Sequence, residues 1–257
     1  MSQINKDVNY KKIAGDARLV MIGESSHSTE AYKYEAMKAL KQLKAAGFTH
    51  FAIEMLPRIM QESIDFYQRT GNGFNVIQKY FDQYWTHGYL VPHSYGELVK
   101  TARTVGLKII ALDITVDEMS MLDDACSYDN AKAKLCFDTH TKRNISWAST
   151  IGNILKESNQ NRVVAFMSRW HAVEAAAFQE GLDTLVKKQG VRKVRFIDYI
   201  GGITCLSERD CRNTSNENSD LKQEYFYREG FPHKAAVMSF QVHIPEKRVS
   251  SSGALVW

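Results

Sequence analysis

Cysteine is scarce: the 257 residues contain four, Cys126, Cys136, Cys205 and Cys211. They show neither the close paired spacing of a zinc site nor the density of a disulfide scaffold, so reduced thiols are expected. No stretch approaches the roughly 20 apolar residues that a membrane span needs, and Met1 to Lys12 is polar where a signal peptide would be apolar. The chain is therefore expected to be cytoplasmic in the cell that makes it, unless a specialised system secretes it into a host cell. Runs of one charge are missing too. The net charge is +4, with Lys and Arg spread along the chain, which implies no nucleic-acid partner. Nor is there a Gly-x-Ser-x-Gly elbow around Ser25, Ser26 or Ser168, which argues against serine catalysis.

At 44% apolar composition the chain can bury a full core within the size range of one α/β domain, expected to span residues 1–257 with its core over about 17–244. Leu19 to Gly23 is an apolar run that breaks at Glu24, and Phe48 to Ile53 is a second that ends on Glu54. Between them, Tyr32, Ala36, Leu40 and Leu43 share one face of a helix over Ser28 to Ala46, making a βαβ unit of parallel strands that are neighbours or near neighbours. Two helices follow over Leu56 to Leu90, then a helix His93 to Val105 and a strand Leu107 to Leu112 ending on Asp113. Tyr128 to Lys156 reads as a helix carrying Arg143, Trp147 and Ile151 on one face. Val163 to Met167 is a strand that turns through Ser168-Arg169-Trp170-His171 into an Ala-rich helix, Val173 to Gln189. Val194 to Ile197 is a strand ending on Asp198, Cys205 to Leu221 a loop, and Ala235 to Ile244 a last strand, antiparallel at an edge. The expected fold class is α/β: a central, mostly parallel sheet with helices on both faces.

In such a sheet, ligands bind beyond the carboxyl ends of the strands, where Glu24, Glu54, Asp113 and His171 all fall. His27 joins them from a helix N-terminus, whose dipole favours a neutral ring near pH 7. Two versions of the site follow. In one, His27 takes a proton from water, Glu24 or Glu54 orients it, and His171 or Arg143 stabilises the charge that develops on a substrate oxygen. In the other, Glu24, His27, Glu54 and His171 hold a divalent cation, with Mn, Fe or Zn suiting the mixed donors better than Ca. Asp113 and Arg169, with His87 and Tyr89 from the aromatic segment Tyr80 to Tyr89, are the candidate substrate contacts. His50 starts a strand and falls at the opposite end of the sheet.

The sequence Gly23-Glu24-Ser25-Ser26-His27, the helix after it, the Gly47-Phe48 turn and Phe51-Ala52-Ile53-Glu54 resemble the opening of the erythromycin esterase-like and ChaN-like superfamily, which includes the Tiki proteases. Tyr95 to Asp113, Arg143-Asn144-Ile145-Ser146-Trp147-Ala148 and Val163 to His171 are similar to its later units, so the likeness runs from Ala17 to Tyr199. It implies a rim site built from Glu24, His27, Glu54 and His171. Members hydrolyse macrolide lactones, cleave peptides with a divalent metal or bind haem, and related domains occur in bacterial toxins and type III effectors. This chain departs in offering Lys33 and Lys38 where the esterases carry an Arg, and in reaching His171 through a turn without glycine. The resulting expectation is a hydrolase-like effector or toxin domain acting on a small molecule or a host protein. The alternatives are a binder of haem or another planar ligand through Tyr80 to His93, and an inactive scaffold for partner contacts.

Overall fold

The computed structural model describes residues 8–115, 130–173, 180–213, 224–230 and 235–245, together with residues 6, 118, 248–249 and 255–256. In chain order the strands are β1 (Leu19–Glu24), β2 (His50–Pro57), β3 (Lys108–Asp113), β4 (Val163–Ser168), β5 (Val194–Gly201), β6 (Ile203–Cys205), β7 (Cys211–Asn213), β8 (Phe226–Glu229), β9 (Met238–Ile244), β10 (Arg248–Val249) and β11 (Leu255–Val256). Seven of them form one sheet in the order β3-β2-β4-β1-β5-β9-β8. Every pairing in it is parallel except β8 with β9. The antiparallel edge is thus β8. The last expected strand lies inside it and pairs parallel with β5, because β8 comes from a segment whose charged and polar flanks hide its strand character.

Period-two alternation divides the core. Val20, Ile22, Phe51, Ile53, Val164 and Phe166 pack with helices α1 (Tyr10–Ala14), α2 (Glu30–Ala45), α3 (Gln61–Thr70), α4 (Phe74–Tyr84) and α5 (Val91–Thr104). Leu19, Met21, Ala52, Val163, Ala165 and Met167 pack on the other face against α6 (Asn130–Glu157) and α8 (Leu182–Lys188), with the four-residue helix α7 (Arg169–Ala172) between β4 and α8. Runs buried on both faces read as continuous apolar segments, as these do.

Strand order builds the site. β4 inserts between β1 and β2, so His171, three residues past the end of β4, is delivered between Glu24, at the end of β1, and Glu54, which lies inside β2 three residues before its end, against the expectation that this strand stops at Ile53. Gly23 allows the close approach this needs: a Cβ there would lie 2.7 Å from a Phe196 ring carbon and 2.9 Å from the Arg169 Cα. At the β3 edge, two side-chain amides about two turns apart on one face of α3 stand in for a further strand. Gln61 bonds to Ile109 O and Ala111 N, and Gln68 to Leu107 O and Ile109 N, so backbone groups that would otherwise invite another strand are satisfied.

Three further expectations are corrected. The helix expected over Val173 to Gln189 does not begin at Val173, which is extended, and α8 begins only after Gly181; residues 174–179 lie outside the described residues. β5 continues past Ile197 to Gly201, so Asp198 is mid-strand, paired with Gln241, and not at a strand end. The loop from Cys205 opens as a β6–β7 hairpin in which Cys205 and Cys211 are directly opposed and joined by a disulfide, against the expectation of reduced thiols. A six-residue spacing gives no hint of that register. Cys126 and the Cys136 side chain lie outside the described residues, as does most of the tail after Pro245.

Candidate active site

Glu24 ends β1 in the row of Val20 and Ile22, and its buried carboxylate gathers three partners. His27 Nδ1 lies 2.7 Å from Oε1, Tyr95 OH donates to the same oxygen at 2.6 Å, and the Lys33 ammonium is 2.7 Å from Oε2. Lys33, wholly buried one turn into α2, also donates to the carbonyls of His27 (2.5 Å) and Thr29 (3.2 Å) and lies 4.5 Å above the Tyr95 ring. Burial pushes Glu24 upward, but Lys33 and His27 together hold it below the ordinary carboxylate value. Burial pulls His27 down, yet the bond to Glu24 and the charges of Glu24 and Glu54 outweigh it and set the ring above 6.5. α2 starts three residues beyond His27, and the adjacent carboxylate pushes the ring the opposite way from the helix dipole. With Nδ1 on Glu24, Nε2 is the ring's outward nitrogen, and the His27 side chain keeps 30% of its surface. Trp85 stands edge-on to it, with ring centroids 5.1 Å apart.

The second half forms beneath α6. Glu54 follows Ala52 onto the α6 face, where Oε2 accepts the Ser168 backbone N–H at 2.6 Å and Oε1 accepts Arg143 Nη2 at 2.9 Å. Arg143 also donates Nε to Asp113 Oδ1 (2.8 Å), Nη2 to Asp113 Oδ2 (2.7 Å) and Nη1 to His171 Nε2 (3.0 Å). Four of its five N–H groups are thereby committed. Trp147, one turn on, turns this face inward: it is fully buried, 5.0 Å from the guanidinium and 4.5 Å from the His171 ring. Burial, then the charges of Arg143, His140 and His27, put His171 well below its ordinary value. That direction favours a neutral His171, so of the two expected charge stabilisers it is Arg143 that carries the positive charge. Asp113 stands above 3.8 because burial outweighs Arg143.

The carboxylates carry their own counter-ions, which bears on the divalent-cation version. Glu24 pairs with Lys33, Glu54 and Asp113 pair with Arg143, and the His171 nitrogen facing the site accepts from Arg143. Among the described residues no three His, Cys, Asp or Glu side chains gather as a metal-holding group. The donor set does not fit a divalent cation. Of the candidate substrate contacts, Asp113 is an anchor for Arg143. Arg169 turns to Asp198 (3.3 Å) and stacks on Trp170. Tyr89 is exposed and tied to the hairpin, through its N–H to Cys205 O (2.7 Å) and its OH to Glu208 (2.8 Å). His87 is exposed, its ring 6.0 Å from Trp85. Lys33, Tyr95, Asn144 and His140 are the participants that spacing does not reveal, since they lie within helices whose docking the sheet order decides. His50 falls at the N-terminal end of β2, away from this cluster.

Among the described residues, no helix is long and apolar enough to cross a membrane. No curated protein sequence matches the chain. Solved structures with a similar fold include the type III effector HopBA1, with a TM-score of 0.62 at 13% identity over 96% of this chain and 97% of that one. An erythromycin esterase variant, EreC, in its open conformation gives 0.58 at 9% identity over 92% of each chain. Haem-binding ChaN of Campylobacter jejuni gives 0.51 at 13%, covering 91% of this chain and 90% of that one. At such identities the likeness is one of fold. A family model described as haem-binding uptake, Tiki superfamily, ChaN matches residues 11–192, most of the chain, including Glu24, His27, Glu54, Asp113, Arg143 and His171. The chain belongs to that ChaN family of the Tiki superfamily.

Proposed function

We propose that the protein is a metal-independent hydrolase of a carbonyl substrate, an ester or an amide. The observation that carries this reading is the 2.7 Å contact of His27 Nδ1 with Glu24, which leaves Nε2 as the base. In this mechanism Nε2 takes a proton from water as its oxygen attacks the carbonyl carbon. Glu24, itself held by Lys33 and Tyr95, orients the ring and balances the imidazolium that forms. The oxyanion takes its hydrogen bond from the fifth N–H of Arg143, which has no acceptor among the described residues, the guanidinium being fixed by Glu54 and Asp113. The imidazolium then returns the proton to the leaving alkoxide or amine. Trp85 Nε1, buried and without an acceptor among the described residues, supplies a second donor for a substrate oxygen. A guanidinium with four of its five donors already taken cannot clamp a phosphate by two parallel bonds, so phosphoryl transfer is disfavoured.

The biological setting we propose is that of a bacterial effector or toxin acting in a host cell on a small molecule or a protein. It is supported by the near-complete overlap with a type III effector fold. The test is hydrolysis of 4-nitrophenyl esters, a macrolactone and peptides by chelator-treated protein. Wild type should turn over at least one of them, while His27→Gln should lose a factor of about 10²–10⁴ and Arg143→Lys about 10²–10³. A second reading, haem binding, draws support from exposed His87 beside the exposed Tyr84 and Tyr89, an imidazole with flat rings close by in sequence. A Soret band on titration with haem, lost in His87→Ala, would favour it.

A further inference from the structure

We propose that Asn144 is a positioning residue, locking His171 in the tautomer that makes its Nε2 a bare acceptor for Arg143. Arg143 has donors only and is charged at every relevant pH. Its Nη1 lies 3.0 Å from His171 Nε2, so that nitrogen must present a lone pair. Because His171 is fully enclosed and neutral, its one ring proton sits on Nδ1. That nitrogen lies 2.7 Å from Asn144 Oδ1. The amide cannot be turned round, since Asn144 Nδ2 donates to the Glu180 carbonyl at 2.9 Å. Backbone at Glu180, side-chain amide, imidazole and guanidinium therefore form one directed chain of hydrogen bonds, each link fixing the polarity of the next.

Asn144 has no exposed surface and is the immediate neighbour of Arg143 on α6, so one helix turn sets both ends of the relay. His140 adds to it from the preceding turn, with Nδ1 3.2 Å from the same His171 nitrogen. Without the Asn144 acceptor the proton is free to move to Nε2, which then opposes the Arg143 N–H instead of receiving it. The guanidinium would lose the contact that commits its fourth donor, and with it the orientation that leaves one donor for a substrate oxygen. The catalytic consequence rests on the hydrolase reading, whereas the tautomer assignment does not.

The experiment is a long-range ¹H–¹⁵N correlation spectrum of the full chain with labelled histidine, the His171 signals being assigned by their loss in His171→Gln. Wild type should show a protonated Nδ1 and a bare Nε2 between about pH 6 and 8. Asn144→Asp, which keeps the acceptor, should retain that pattern, and Asn144→Leu should mix or reverse it. In the same variants, kcat for 4-nitrophenyl acetate should fall about tenfold or more in Asn144→Leu with little change in KM. A wild-type spectrum with the proton on Nε2 overturns the proposal. So does a folded Asn144→Leu protein whose His171 pattern is unchanged. If Asn144→Leu fails to fold, the wild-type and Asn144→Asp spectra decide. If wild type hydrolyses nothing, the hydrolase reading falls while the spectrum still judges Asn144.

Discussion

Lys33 Nζ and Glu24 Oε2 form a 2.7 Å ion pair in which neither side chain retains exposed surface. A buried pair of this kind adds little net stability, but removing one partner strands the other's charge. Lys33→Met should therefore destabilise the protein by about 3–5 kcal/mol, measured by urea denaturation near pH 7.5. The double variant Lys33→Met/Glu24→Gln should recover most of the loss, and strict additivity would mean that the two charges do not depend on each other.

The raised pKa of His27 makes activity and stability move in opposite directions with pH. The base must be neutral to accept a proton, so the rate should climb with pH through a midpoint above 6.5. The protonated ring paired with Glu24 stabilises the fold fully below 6.5, and that contribution is lost as pH rises through the raised value. Glu24→Gln should move the midpoint of the rate profile downward; an unchanged midpoint would show that Glu24 does not set it.

His171 has the opposite sign. Its pKa is depressed by burial and by Arg143, so its contribution is present above 6.5 and lost as pH falls toward the depressed value. Wild type should accordingly lose stability below about pH 6.5, and His171→Gln should flatten that limb of a melting-temperature profile.

Gly23 is where the α7 turn crosses β1. Gly23→Ala forces its methyl against Phe196 and the Arg169 backbone, which should cost about 1–3 kcal/mol. Because the strain falls two residues from His171, kcat should drop more than a stability-matched core variant such as Ile151→Val. Equal losses in the two proteins would argue that the turn does not position the site.

The Cys205–Cys211 disulfide closes a short hairpin that Tyr89 and Glu208 tie to the loop carrying Trp85 and His87. Replacing both cysteines by serine should remove about 2 kcal/mol by the loop-closure estimate. It should also speed amide exchange in residues 85–90 while β1, β2 and β4 keep their protection. Uniform protection across both proteins would show that the hairpin does not brace this loop.

Much of the candidate site is legible in the sequence because Glu24, His27 and Asp113 stand where apolar strands give way to polar residues and Glu54 interrupts an apolar run that resumes at Met55, signals that are local. What those residues pair with is not local. That Glu24 takes Lys33 and Tyr95 while Glu54 takes Arg143 depends on the side each leaves the sheet from and on β4 entering between β1 and β2. In the spacing alone, Glu24 and Glu54 are interchangeable. Arg143 reads as a solvated charge until Trp147 is seen to face inward. Val173 is extended where a helix is expected to start, and Gly181 resets where α8 begins. Asp198 reads as a strand end because it is the first polar residue after Ile197, although β5 continues for three more.

Metal-independent general-base catalysis by His27 is tested by the pH–rate profile of chelator-treated wild type and His27→Gln with 4-nitrophenyl acetate. It predicts full wild-type activity without metal, a single ascending limb centred above pH 6.5, and loss of both rate and limb in His27→Gln. Activity that requires added divalent metal, or a limb that survives in His27→Gln, would contradict it.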